Sequence, residues 1–302
     1  MTSSERLKGI EAFVSTADAG SFTAAAERLN LTNSAVGKSV ARLEARLGVR
    51  LFDRSTRTLS LTDAGAAFYR TCSRVLTDLG EAESVLAAQS LEPAGRLRLD
   101  LPEAFGRRKV LPILLPFFEQ HPSLRPHLSF TDRFVDIVDE GIDVTVRIGG
   151  ANTWPREVGH QYLGSERLTF CAAPAYLNRR GPPLSVADLD QHDAVVYGRA
   201  DGSSSPWLIA QDAGPSEQRT VEGRIVVGSG EGLVSAARAG CGIAQLATWL
   251  VQEELQSGQL VKILPQLETE GLPLHLVWPR SRQLLPKVDA ILKLLTASLR
   301  ID

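Results

Sequence analysis

Between Leu7 and Leu61 the spacing of apolar residues changes period, and that change limits the fold more than any other feature of the chain. Leu7, Ile10, Phe13, Val14 and Ala17 recur at helical intervals and predict an amphipathic first helix. Gly20 supplies a C-terminal stop, and Ser21 an N-cap for a short second helix whose buried face is Phe22, Ala25, Ala26 and Leu29. The small side chains of Ala24, Ala25 and Ala26 let another helix approach closely. Asn30-Leu31-Thr32 breaks that helix, since Asn tolerates a left-handed backbone and Thr32 can cap the next one. A third helix is predicted over about Asn33 to Leu47. The period then drops to that of strands: Val49–Phe52 and Thr58–Leu61 are short runs enclosing Asp53–Arg57. Three short helices and a hairpin read as a winged helix-turn-helix.

The third helix carries the chemistry. At about 100° per residue, Val36, Val40, Leu43 and Leu47 fall on one stripe, Ser34 and Lys38 point away from it, and Arg42 lies on the flank. Thr32, Asn33 and Ser34 place short hydrogen-bonding groups at the N-terminal end, Lys38 and Arg42 add cations behind them, and Gly37 would allow close backbone approach. A DNA major groove wants this order: the first residues reach base edges and the later cations meet phosphates. The alternative is an ordinary surface helix of a three-helix bundle. Arg54, Thr56 and Arg57 sit at the tip of the hairpin, suited to phosphates or an adjacent minor groove; Asp53 would pair with a neighbouring Arg or shape the tip. The 302-residue chain has a formal net charge of −2, yet Arg28–Arg57 holds seven cations against Glu44 and Asp53. A basic block on an otherwise acidic chain suggests a local polyanion contact.

Here a family resemblance becomes specific. The ordered markers are AGSFTAAAERL (Ala19–Leu29), Ser34-Ala35-Val36, Arg42-Leu43-Glu44, Leu47-Gly48, Leu51–Arg54, and then Leu61-Thr62 and Gly65. Together they resemble the DNA-binding domain of the LysR-type transcriptional regulators over some fifty residues. The sequence departs at Gly37, where the family usually has serine.

Thr62 can cap a long helix running to about Gln89. Its apolar positions Phe68, Cys72, Val75, Leu79, Ala82 and Leu86 alternate steps of four and three, a heptad seam. Such a seam packs on the chain's own core or on a second copy. The resemblance implies the second, a homodimer, and by extension a homotetramer. Dimeric recognition helices imply a partly palindromic duplex site.

After Leu91–Gly95 the pattern changes to α/β. Strands are expected at Arg96–Leu101, Pro126–Phe130 and Val144–Ile148, with helices at Lys109–Gln120 and Phe134–Glu140, a βαβαβ alternation that implies a parallel sheet. Further strands are expected at Leu168–Ala172, Ala194–Tyr197, Ile225–Val227, Ile243–Leu246 and Leu274–Trp278. Helices are expected near Glu231–Ala239 and from Pro286 to Leu299. Asp132–Gly149 and Gly232–Pro265 are similar to the effector domains of the same family. The resemblance therefore implies an α+β multidomain chain: a winged helix-turn-helix at 1–61, a linker helix at 62–90, and an effector-binding domain at 91–302. The last is of periplasmic-binding-protein type, with subdomains at about 91–163 plus 266–302 and about 164–265.

An effector would lie between the subdomains, beyond strand ends. Candidate lining residues are Pro102, Glu103 and Phe105, Thr131, Arg147, the aromatic Tyr197 and Trp207, and Ser229, which opens a helix suited to an anion. Each has a structural alternative: a strand-end Arg as an ion-pair partner, aromatics as core. The family often has a small hydroxyl residue near the end of the first strand; Leu101-Pro102-Glu103 has none, and Glu103 would repel an anion.

An enzyme is not expected, for no nucleophile elbow, Walker A loop, H-E-x-x-H or dinucleotide glycine motif is present, and the five histidines lack metal-ligand spacing. No cofactor or metal is expected; the ligand would be a small-molecule effector. A transport solute-binding protein would instead begin with a signal peptide near the C-terminal half. The opening MTSSERLKGI has no apolar core, and no apolar run approaches twenty residues, so a cytoplasmic protein without membrane contact is expected. Cys72, Cys171 and Cys241 suggest buried packing, with a redox pair of Cys171 and Cys241 as the alternative. Duplex DNA is the expected partner, and RNA polymerase the implied one.

Overall fold

Phe13 is the centre around which the first unit folds. It comes from α1 (Ile10–Ala19), and its ring meets Phe52 at 5.4 Å, Phe68 at 5.6 Å and Tyr69 at 6.5 Å. Around it pack α2 (Phe22–Arg28), α3 (Asn33–Leu47) and the hairpin β1 (Phe52–Arg54) with β2 (Leu59–Leu61). Gly20 and Gly48 end α1 and α3 in left-handed geometry, and Asn30 takes φ 53° at the turn between α2 and α3. Ala25, Ala26, Val36, Val40 and Leu43 are buried in one cluster with Leu51 and Phe52. Leu47 is not part of it: it is 39% exposed, because the stripe drifts off the core in the last turn. The first strand also begins later than the apolar run suggests, at Phe52. The computed structural model describes residues 9–54, 59–87, 92–150, 154–199, 201–211 and 214–301.

A long helix, α4 (Asp63–Ala87), completes this unit. Thr62 Oγ1 accepts from Gly65 N–H at 2.9 Å and donates to the Arg50 carbonyl at 2.8 Å, so one hydroxyl caps the helix and ties it to the chain before β1. Gly65 is required by that contact, since a Cβ there would stand 2.0 Å from the Leu51 carbonyl oxygen. Phe68, Tyr69, Cys72 and Leu76 pack on the Phe13 cluster, and the Tyr69 hydroxyl bonds Asp18 of α1. Farther along the same seam, Val75 and Leu79 are 40% and 49% exposed.

The chain divides into two units, Met1–Ser90 and Leu91–Asp302. The second is built on one mixed sheet whose strands lie in the order Ile225–Val227, Ala194–Tyr197, Ile243–Ala247, Val158–Ala172, Thr269–Pro279, Val144–Ile148, Gly95–Leu101, Leu124–Phe130. Its first part is the expected parallel set: β3 (Gly95–Leu101) lies between β4 (Leu124–Phe130) and β5 (Val144–Ile148). The crossover from β3 to β4 is α5 (Glu103–Phe105), a π-helical turn Gly106–Val110, and α6 (Leu111–Gln120). Pro112 has no N–H to give the Arg108 carbonyl, and the backbone widens into a π turn in which Leu111 N–H reaches the Gly106 carbonyl. The helix expected at Phe134–Glu140 is absent. There the Asp136 carboxylate accepts from Val138 and Asp139 N–H, each at 2.9 Å, and this local turn competes successfully with a helix before Gly141 at φ 65°.

Two long antiparallel strands, β6 (Val158–Ala172) and β13 (Thr269–Pro279), then carry the sheet from one half to the other. Only their ends were legible as strands, because Gly159, Gly164, Gly271 and Pro273 interrupt the alternation. The first core is formed by Leu97, Leu99, Leu101, Val144, Val146, Leu274 and Leu276 under α10 (Pro286–Ser298). In the second half β7 (Ala194–Tyr197), β10 (Ile225–Val227) and β11 (Ile243–Ala247) run parallel. Val195 and Ala244 feed a core under α8 (Gly230–Arg238) and α9 (Thr248–Gln256); Val196 and Ile243 feed another on the opposite face. That second face is covered by α7 (Pro174–Arg180) and the hairpin β8 (Trp207–Ile209)–β9 (Glu217–Arg219), while β12 (Val261–Ile263) pairs with β6. Sequence periodicity gave no sign of α7, α9 or these short strands.

Candidate nucleic-acid interface and effector cleft

The N-terminal end of α3 is an open surface. Thr32 caps the helix, its hydroxyl accepting from Ala35 N–H at 3.2 Å, and Asn33 Nδ2 donates to Thr23 Oγ1 at 3.2 Å, linking α2 to α3. Thr32, Asn33, Ser34, Lys38 and Arg42 are all exposed, whereas Val36, Val40 and Leu43 on the other face are buried. Gly37 lies at the edge of this surface, and a Cβ added there would meet nothing within 4 Å. The hairpin is held to α3 by Glu44, whose Oε1 accepts from Leu51 N–H at 2.8 Å and Phe52 N–H at 3.3 Å. Arg54 ends β1, and Thr56 and Arg57 fall outside the described residues. Glu44 was not among the sequence candidates. Its signals, an acid inside a basic block and a place in the Arg42-Leu43-Glu44 marker, did not say which backbone groups it would hold.

In the second unit the predicted cleft residues separate into two groups. Glu103, Thr131, Tyr197 and Ser229 remain partly accessible at strand ends and helix starts. Glu103 N–H donates to Asp132 Oδ1 at 3.0 Å, and the Tyr197 hydroxyl of the other half feels the charge of the same carboxylate. Burial, then the Asp132 carboxylate, then Glu103, push the Tyr197 phenol above its ordinary value. Ser229 caps α8 through Gly232 N–H at 3.5 Å. That helix start carries no free anion site of the kind expected, because Glu231 beside it holds Arg107 Nη2 at 2.6 Å and Arg108 Nε at 3.3 Å. Arg108 Nη1 also donates to the Leu250 carbonyl at 3.0 Å. Arg107 and Arg108 with Glu231, and Arg108 with the Leu250 carbonyl, thus cross between the halves, and Asp132, Arg107, Arg108 and Glu231 are functional candidates that sequence reasoning missed.

The second group belongs to the interior. Trp207 does not wall a cleft: it is buried, edge-on to Phe170 at 5.1 Å, because β8 covers the outer face of the second half. Pro102 is buried, and Phe105 packs edge-on against Trp249 at 5.0 Å. Arg147 is an ion-pair partner, its Nη2 standing 2.5 Å from Asp100 Oδ2 in a pair not aligned as a hydrogen bond, while Nη1 donates to the Thr131 carbonyl at 3.3 Å. Burial lowers the Arg147 pKa, and the Asp100 charge works against that shift. The Arg147 guanidinium is thus already engaged, and Asp132 adds a further carboxylate charge to it.

Cys171 is buried, and burial, then the charge of Glu254, push its thiol up to about 12, which leaves little thiolate for redox chemistry. Burial likewise raises Cys72, against the lowering charge of Arg46. Among the described residues no group of three or more His, Cys, Asp or Glu is placed to hold a metal ion, and no helix is long and apolar enough to cross a membrane.

Comparison with known proteins covers both units. The family model for bacterial regulatory helix-turn-helix proteins, lysR family, matches residues 7–66, and the LysR substrate binding domain model matches residues 90–300. The HTH-type transcriptional repressor PA14_22550 of Pseudomonas aeruginosa is 34% identical over 294 residues, 94% of this chain and 89% of that protein. The HTH-type transcriptional activator AaeR of Escherichia coli is 31% identical over 293 residues, 97% of this chain and 93% of that protein. Among solved structures, CrgA, a LysR-type transcriptional regulator from Neisseria meningitidis, is similar at a TM-score of 0.61 and 29% identity, covering 98% of this chain and 99% of that chain.

Proposed function

The chain belongs to the LysR family of DNA-binding transcriptional regulators, and on that premise we propose how its residues read duplex DNA and a small-molecule effector. It is a regulator and not an enzyme. Helix α3 enters the major groove with Thr32, Asn33 and Ser34 toward base edges, Gly37 allowing close approach, and Lys38 and Arg42 toward phosphates. Arg54, Thr56 and Arg57 of the wing meet phosphates or the neighbouring minor groove. The observation that carries this reading is the division of α3 into a fully buried Val36–Val40–Leu43 face and an exposed Ser34–Lys38–Arg42 face.

Two such surfaces are brought together by α4, whose Val75 and Leu79 are left exposed on the seam, so the operator is partly palindromic. The dimer further assembles into a tetramer and contacts RNA polymerase in the cytoplasm. A small-molecule effector binds between the two halves of the second unit and shifts their arrangement, acting only so far as it binds one arrangement better than the other. The polar rim of Glu103, Asp132 and Tyr197 suits a neutral or cationic group better than a free carboxylate.

Footprinting of the purified protein on genomic DNA supplies the specific duplex for the test, and its target genes point to the effector's pathway. Anisotropy titrations then compare that duplex with a random one at several salt concentrations. Ser34→Ala is expected to reduce the preference for the specific duplex, and Arg54→Ala to weaken both and lower the salt slope by about one. Equal effects of the two substitutions on both duplexes, or no preference by the wild type, would remove the docking model.

A further inference from the structure

Glu166 stands midway along β6, where the strand passes from one half of the second unit to the other. Leu163 packs on the first core and Leu168 on the second. Between them Glu166 is only 7% exposed. Its Oε1 accepts from Trp249 Nε1 at 3.0 Å, and the backbone N–H of Leu272 also favours the charged form of the same carboxyl. Trp249 packs against both cores and stands edge-on to the buried Phe105, which lies just past the end of β3. The opposing strand β13 is irregular at this level, its register shifting between Glu270 and Pro273. Gly271 fits there because a Cβ would lie 2.8 Å from Leu168 Cγ and 3.1 Å from Glu166 Cβ. Both crossover strands therefore pass one tight point that contains a buried carboxyl.

The charged and titratable residues on the surrounding elements are His160, Tyr162, Arg167 and Cys171 on β6, Glu270 and His275 on β13, Lys262 on β12, Glu231 and Arg238 on α8, Glu253 and Glu254 on α9, and Glu103, Arg107, Arg108 and Lys109 before α6. Several are engaged with one another: Lys262 with Glu268 at 2.6 Å, Arg238 with Glu254 at 3.8 Å, and Arg107 and Arg108 with Glu231. Among the described residues no cation pairs with Glu166. Burial therefore dominates and raises the carboxyl to about 7, against the lowering pull of the Trp249 and Leu272 N–H groups.

We propose that Glu166 and Trp249 form a proton-operated hinge between the two halves of the effector-binding unit. The protonated carboxyl favours the arrangement seen here; the carboxylate favours one in which the crossover strands part and admit water. Linkage sets the sign. A carboxyl that holds its proton more tightly in this arrangement than in water stabilises it fully below the ordinary value of 4.5, and loses that contribution as pH rises to about 7.

The full chain serves for the test. Tryptophan fluorescence and amide exchange at residues 164–168 and 270–273, corrected for intrinsic rates, are tracked between about pH 5 and about pH 9. The wild type is expected to show a midpoint near the Glu166 value of about 7, with better protection on the acid side. Glu166→Gln, neutral and nearly isosteric, should keep the acid-side protection throughout and show no midpoint. Trp249→Phe removes a donor that stabilises the carboxylate, so its exchange midpoint should move to higher pH. A flat wild-type exchange profile, or a Gln variant that still titrates, overturns the proposal. If the Gln variant does not fold, the Trp249→Phe shift decides, and an unmoved or lowered midpoint overturns it.

Discussion

Gly37 and Gly65 sit in the same unit and face opposite demands. A side chain at Gly37 would meet open space, whereas one at Gly65 would run into the Leu51 carbonyl oxygen at 2.0 Å. Gly37→Ser should therefore leave stability within about 0.5 kcal/mol, since serine is somewhat the better helix former, while altering DNA affinity. Gly65→Ala should cost about 1–3 kcal/mol by pushing α4 off the segment before β1. Urea unfolding midpoints distinguish the two. Arg147 poses the related question for a buried charge. Its partner Asp100 is almost fully buried and also accepts from Ser129 Oγ at 2.6 Å. Arg147→Met is expected to cost about 3–5 kcal/mol by stranding that carboxylate, and Asp100→Asn in the same chain to recover part of the loss. A double-mutant cycle by chemical denaturation measures the recovery. If Arg147 were chiefly an effector ligand, its loss would leave stability almost unchanged.

Elements differ in how plainly the sequence announces them, and the reason is local. The ends of α1, α2 and α3 carry their own signals in Gly20, Ser21, Asn30, Thr32 and Gly48, and the structure uses each one. The Phe134–Glu140 segment has helical periodicity but also Asp136, whose side chain satisfies two N–H groups within a turn. The crossover strands hide their length because glycines and Pro273 replace the alternation where backbones approach closely. For the site, exposure of the α3 residues could be read from helical phase. The partners of Arg147 and Glu231 could not, since they depend on which strand ends meet. The seam of α4 was legible as a period but not as two uses of one period. Its first part closes the Phe13 core, and Val75 and Leu79 continue it outward. If this seam joins two copies as proposed, replacing both with lysine should leave the N-terminal fold intact by circular dichroism and yield monomer in sedimentation velocity. A variant that stays dimeric would place the interface elsewhere.

At the scale of the second unit, a single sheet joins two cores while side chains close the gap between them. Tyr197 with Asp132, and Glu231 with Arg107 and Arg108, interact while partly exposed, so each pairing is worth only about 0–1 kcal/mol. Their sum is small against global unfolding but large against a hinge, which shifts with differences of that size. Combining Tyr197→Phe with Glu231→Gln should therefore leave the unfolding midpoint within about 1 kcal/mol and yet speed amide exchange at residues 130–134 and 197–199 about fivefold. Mass-detected exchange on the full chain measures both segments at once. The direction separates a regulatory latch from a structural brace. A brace would lower global stability and local protection together, whereas a latch lowers only the local protection and leaves the two cores, each built from its own apolar residues, standing.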